Sequence, residues 1–202
     1  MSVGLTGPIF IAARDLYTSS AEKQHTLGQV GVDKLGRKFR YVKAGGTSLV
    51  VGNVLQESVR DVQFTGLAVA TAAAIGATTL SLTNGTTTTT ADQFKGGVAV
   101  VSESTGIGQQ FVIAGNTVAG SGAALTVTLE DGVRVALATT SKVTLKMSPY
   151  MDVIVLPTSR SGKTVGGAIY PITNAQYGWI QSGGLGAALS DATVAAVGEG
   201  LS

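Results

Sequence analysis

The stretch Arg37-Lys38-Phe39-Arg40-Tyr41-Val42, followed by Gly45-Gly46, sets the reading of the whole chain. Apolar and charged side chains alternate with a period of two: Phe39 and Tyr41 fall on one face, Lys38 and Arg40 on the other. That is the pattern of a half-buried β-strand. Asp33-Lys34-Leu35-Gly36 before it is a turn signal. Ser48–Val54, with β-branched Val50-Val51, and the alternating Ser58–Phe64 follow as two further strands. Such close spacing is that of an antiparallel sandwich or barrel.

Composition shifts near Gly66. Residues 67–148 are rich in Ala, Thr, Gly and Val and poor in charge. Strands are predicted at Thr78–Leu82, Gly97–Ser102, Gln109–Ala114, Leu125–Leu129 and Lys142–Leu145. Asn84-Gly85 and Asp131-Gly132 read as hairpin turns, and β-branching favours a strand over Thr86–Thr90. Ala68–Ile75 holds helix-forming alanines but spans only about two turns, too short for a stable helix. Residues 149–202 return to strand-like patterns at Asp152–Leu156, Gly167–Ile172, Tyr177–Ser182 and near Leu185–Leu189. The tail Ser190–Gly198 fits a capped helical turn or a last strand.

The expected fold is therefore all-β: an antiparallel sandwich or barrel with an inserted second β module and an extended N-terminal arm. Residues 1–29 form the arm, 30–66 with 149–202 the main domain, and 67–148 the insert. The arm mixes Gly4, Gly7 and Pro8 with the apolar run Ile9–Ala13 and sustains no helical period. It reads as a segment that lies on a partner or frays.

Composition bounds the function. Of 202 residues 44% are apolar and only 13% charged, against roughly 25% in an average soluble domain. Mean hydropathy is +0.33. Disorder is excluded by this hydrophobicity, and a freely diffusing monomer is a poor match; the surface reads as one built to be covered. Net charge is +2, too little to argue for nucleic acid as the main partner. Residues 1–64 carry eight bases and five acids, 65–148 four of each, and 149–202 two and three. Cysteine is absent and His25 is the one histidine, which removes thiolate sites and histidine clusters. No secretory signal pattern opens the sequence, and its longest apolar stretch, Gly66–Ala77, is too short to span a bilayer.

Motifs that could carry chemistry each fail a physical requirement. Asp152–Leu156 running into Gly162-Lys163-Thr164 looks like a strand leading to a phosphate loop. The position of the first glycine is Pro157, however, and Val165–Pro171 cannot form the helix that would face the phosphate. Gly106-Ile107-Gly108 and Gly120-Ser121-Gly122 lack the third glycine of a dinucleotide site. A triad would have to use His25, in the arm, and no nucleophile elbow is present; His25 reads as exposed. Glu130-Asp131 is a weak calcium candidate. Lys34, Arg37, Lys38, Arg40 and Lys43 interleave with Phe39 and Tyr41 and could serve nucleic acid. The competing reading places the aromatics in the core and the bases in solvent or on an acidic partner. Trp179 reads as a core or interface anchor. No catalytic, cofactor-binding or metal-ligating residue is assigned.

Several of these segments carry a resemblance. Gln24-His25-Thr26-Leu27-Gly28 and Phe39–Gly46 resemble the opening of a family of structural proteins from tailed bacteriophages. Ala91–Gly97, Gly106–Phe111, Leu129–Val133 and Tyr177–Gln181 are similar too, so the likeness runs from about His25 to Gly184. It implies a non-enzymatic virion protein assembled in the host cytoplasm. Head decoration (cement) proteins are the nearest type: homotrimers on the outer face of the capsid that staple major capsid protein subunits. A tail or fibre-adaptor protein, its insert touching host surface glycans, is the alternative. Neither requires a cofactor, a metal or a membrane.

Overall fold

The computed structural model describes residues 7–189, so the expected Ser190–Gly198 turn lies outside the described residues. Fourteen strands are present in it. In chain order they are β1 (Ile9–Phe10), β2 (Ser19–Ser20), β3 (Val30–Val32), β4 (Lys38–Lys43), β5 (Val54–Gln56), β6 (Leu67–Thr71) and β7 (Thr79–Thr83). β8 (Val98–Glu103), β9 (Gln110–Asn116), β10 (Ala124–Leu129), β11 (Lys142–Lys146), β12 (Ile154–Val155), β13 (Thr164–Ala168) and β14 (Tyr177–Gly183) follow. Among the described residues helix is confined to one short turn, α1 (Ala13–Leu16), and a 3-10 turn at Val62–Phe64. The chain is all-β, as its alternation predicts.

Val59–Met151 forms one compact unit, and the flanking described residues 7–58 and 152–189 form the other. The Val59–Met151 unit is a closed antiparallel barrel in the order β10-β7-β6-β11-β8-β9. Its strands alternate as the sequence does. Leu80 and Leu82 of β7, Leu125, Val127 and Leu129 of β10, and Val143 and Leu145 of β11 point inward and are buried. The threonines between them face outward, where a branched polar side chain suits the pleat. Register shifts at Val69/Thr71, Thr128/Leu129 and Lys142/Val143 bend the strands where the barrel closes.

The unit begins before the composition shift and not at residue 67. Phe64 is buried in the barrel core, its ring edge-to-face with Phe94 at 4.8 Å. The predicted strand over Ser58–Phe64 is instead a loop and the 3-10 turn, while β6 forms where the alanines discouraged any assignment. Neither expected hairpin is tight. Asn84-Gly85 opens the long connection from β7 to β8, and Asp131-Gly132 the one from β10 to β11. Asn84 is buried: its amide nitrogen donates to the Thr87, Ala119 and Gly120 carbonyls, and its oxygen accepts from Thr89 Oγ1. Within Thr86–Thr90, only Thr89 pairs, in a single bridge to Ala119.

The other unit is one mixed sheet in the order β1-β3-β4-β14-β13-β5-β12, with β2 on β14. β1 and β3 are parallel, which departs from a purely antiparallel sheet. A parallel bridge between Ala44 and Val153 brings the lead into β12 back against the end of β4. Gly45 N donates to Val153 O and Val153 N to Lys43 O, both at 2.9 Å. The sheet thus curls nearly onto itself from β4 to β12, which shields the β12 edge, while β1 stands at the other end of the order. Phe39, Tyr41 and Trp179 form the core with Ile11 and Leu16.

Ile11 and Leu16 correct the expectation of an extended arm. The segment lies on its own sheet: Ile9 and Phe10 pair with Gly31 and Val32, and both apolar anchors are buried. Gly31 makes room for Ile11, because a Cβ there would collide with its side chain. Ser48–Val54 also differs. Leu49 makes one bridge to Ile172, a turn follows, and the strand forms only at β5. No strand covers Leu185–Leu189, although Leu189 N donates to Gly52 O.

Candidate functional site

The basic strand is the strongest chemical candidate in the sequence, and its pleat decides its fate. Phe39 and Tyr41 are buried, so neither offers a stacking platform. Arg37 is clamped by Asp33, through Nε at 2.8 Å and Nη2 at 2.7 Å. Asp33 also accepts from the Leu35 and Arg37 main-chain amides. Burial pushes the Asp33 carboxyl upward, yet the bonds from Arg37 and the two amides outweigh it and hold the group below its ordinary value. The same pairing raises Arg37. Arg40 Nη1 donates to Gly28 O at 2.7 Å, and Lys43 Nζ pairs with Asp152 Oδ1 at 3.1 Å. Three of the five cations are thus engaged within the chain, and Lys34 and Lys38 are left exposed.

Around Tyr41 the segments Gln24–Gly28, Phe39–Gly46 and Tyr177–Gln181 meet. Gln24 N donates to the Tyr41 hydroxyl at 3.0 Å; Gly28 N donates to Tyr41 O, and Tyr41 N to Gln29 O. Tyr41 pairs with Trp179 across β4 and β14, their rings 5.1 Å apart, and stacks on Tyr177 at 6.1 Å. His25 is not the exposed residue expected. It sits half-buried, 5.1 Å from the Tyr41 ring and 5.2 Å from that of Trp179. Burial raises the Tyr41 hydroxyl, opposed by the main-chain amides of Gln24 and His25. Trp179 is the core anchor that its alternation predicts.

In the barrel Ala91–Gly97, Gly106–Phe111 and Leu129–Val133 also act as scaffold. Gly96 N donates to Ile113 O, and Glu130 N to Val112 O. Gln109 was not singled out in the sequence, yet it ties two loops together. Its side-chain oxygen accepts from the Arg134 and Val135 amides while its nitrogen donates to the Gly106 and Val135 carbonyls. A glutamine after Gly-x-Gly is the only sign the sequence offers of this.

The loop resembling a phosphate cradle is already filled from within. Gln56 Oε1 accepts from the Ser161 and Gly162 amides, and Glu57 Oε1 from the Lys163 amide. Amides that would hold phosphate therefore have carbonyl or carboxylate partners. Among the described residues no group of three or more His, Asp or Glu is placed to hold a metal, so no third such side chain joins Glu130-Asp131. No helix of the described residues is long and apolar enough to cross a membrane.

What the surface does display is apolar. Phe10 is 82% exposed, and Leu35, Val62 and Ile75 are each about 70% exposed. Comparison with known proteins found no matching family model, no matching curated protein and no matching solved structure.

Proposed function

We propose that this chain is a non-enzymatic structural protein of a bacteriophage particle, and within that class a head decoration protein that binds and stabilises the major capsid protein lattice. The observation that carries the reading is the set of large apolar side chains held outward on ordered turns and a sheet edge: Phe10, Leu35 and Val62. Exposed apolar surface of this kind marks contact sites, and a chain with 13% charged residues has little else with which to stay dispersed. The resemblance supplies the partner class. Its segments are spent on turns, strand pairs and core packing, as suits a protein whose work is to present a rigid surface.

The mechanism is linkage. A protein that binds the mature shell and not its dissociated subunits stabilises the shell by its binding free energy. Seated in threes on the outer face of the shell, and trimeric only there, each copy would add contacts between neighbouring subunits. The β1 edge could also accept main-chain bonds from a partner strand.

Copy number per purified virion, measured by quantitative mass spectrometry against the major capsid protein, is the deciding test. A simple ratio to the capsid protein is expected, together with shells that lose heat resistance when this protein is omitted. A few copies per particle would move it to the tail. Absence from the particle would overturn the reading.

A further inference from the structure

We infer that the barrel end built by loops 72–78, 104–109 and 130–141 is a self-association surface, on which two copies of this chain pair about a two-fold axis. The inference does not rest on the phage reading.

Strand directions place these loops together. β6 and β8 run toward this end and β9 and β11 away from it, since Lys142 pairs with both Ala68 and Glu103. β10 also finishes here. The chain enters β6 and leaves β11 at the opposite end. Each of the three loops lifts one aliphatic side chain into solvent: Ile75 at 71% exposure, Ile107 at 66% and Val135 at 50%.

These tips are held rather than loose. Gln109 joins the Gly106 turn to Arg134 and Val135. Gly76 N donates to Val133 O, Ala73 bridges Leu137, and Ser141 Oγ donates to Thr105 O. An apolar surface already fixed by internal hydrogen bonds loses little further entropy on docking.

Charge selects the occupant. Asp131 and Arg134 are both exposed on the third loop, and neither forms an ion pair among the described residues. Arg134 lies over the Phe111 ring, 5.8 Å from its centroid. A membrane would call for an excess of cations here, and the end instead carries both signs, with half-buried Glu130 beside them. An acid and a base three residues apart are self-complementary. About a two-fold axis, Asp131 of one copy faces Arg134 of the other, and the reverse contact follows by symmetry. Three loop tips make an interface at the small end of the known range, so the pairing is weak, with Kd on the order of 100 μM.

Sedimentation velocity of the full chain from about 10 to about 500 μM tests this, spanning the expected Kd. Concentration-dependent dimer is expected. Ile75→Asp with Ile107→Asp should weaken pairing at least tenfold while the melting temperature is retained, because both side chains are exposed. Asp131→Arg and Arg134→Asp should each weaken it severalfold, and the double exchange should restore it. Monomer throughout would overturn the proposal. So would a dimer indifferent to the two aspartates, or a double exchange that restores nothing. Loop amides protected from hydrogen exchange only when phage shells are added would assign the surface to a different partner and overturn it equally.

Discussion

Asp33 ties the turn at 33–36 to the start of β4, and its charge is what does so. Its carboxylate accepts from two main-chain amides and from the Arg37 guanidinium. Because the folded-state value lies below the unfolded one, the stabilisation is fully present above the unfolded value of about 3.9 and is lost as pH falls through the folded one. Asp33→Asn should therefore lower the melting temperature at pH 7, and the gap from wild type should close as both are taken below about pH 4. A gap that stays constant with pH would show that shape, and not charge, is what Asp33 supplies. Tyr41→Phe removes the acceptor of the Gln24 amide and should cost about 0.5–1.5 kcal/mol, with faster exchange of that amide. Alternation made the inward faces of Phe39, Tyr41 and Trp179 legible. The partners of Arg37, Arg40 and Lys43 were not, because Asp33, Gly28 O and Asp152 come into range only through turns and strand order. His25 was misplaced for the same reason: nothing local announces that a loop will fold back on Tyr41.

At the scale of elements, strands with strict alternation were legible, among them β7, β8, β10, β11 and most of β14. β6 was not, because Leu-Ala-Val-Ala-Thr carries alanine where a strand signal needs branched side chains; closure of the barrel supplies what propensity lacks. The Asn84-Gly85 hairpin signal failed because Asn84 serves as a buried organiser of a long loop. Gly166 and Gly167 in β13 show how finely an element can be set. A Cβ at Gly166 would strike the Gln181 carbonyl, and its φ of 153° is one that side chains rarely adopt. At Gly167 the nearest atom is 3.9 Å away. Gly166→Ala should destabilise the unit by about 2–4 kcal/mol. Gly167→Ala should change stability by no more than about 1 kcal/mol, in the stabilising direction if at all. Urea unfolding followed by Trp179 fluorescence separates the two, and equal effects would mean that β13 does not hold this register.

For the whole molecule, the low-charge tract announced an insertion, but its edge was displaced because Phe64 sits in the charged tract while packing on Phe94. The barrel closes on itself, so it has no strand edge that needs covering, and its core lies within Val59–Met151. At 93 residues (59 to 151) it is large enough to bury a core without disulfides or metals. Residues 59–151 expressed alone should therefore fold. Circular dichroism should report one cooperative urea transition with a slope of about 1 kcal/mol/M, and the Leu80 and Val127 amides should exchange slowly. Phe94→Ala removes a fully buried ring from that core and should cost the fragment about 3–5 kcal/mol, enough to unfold a barrel of ordinary stability. Val62→Ala, an exposed truncation just outside the core, should leave it within about 0.5 kcal/mol of wild type. A gradual, non-cooperative transition in the unsubstituted fragment would mean that the barrel draws its stability from residues beyond its own closure.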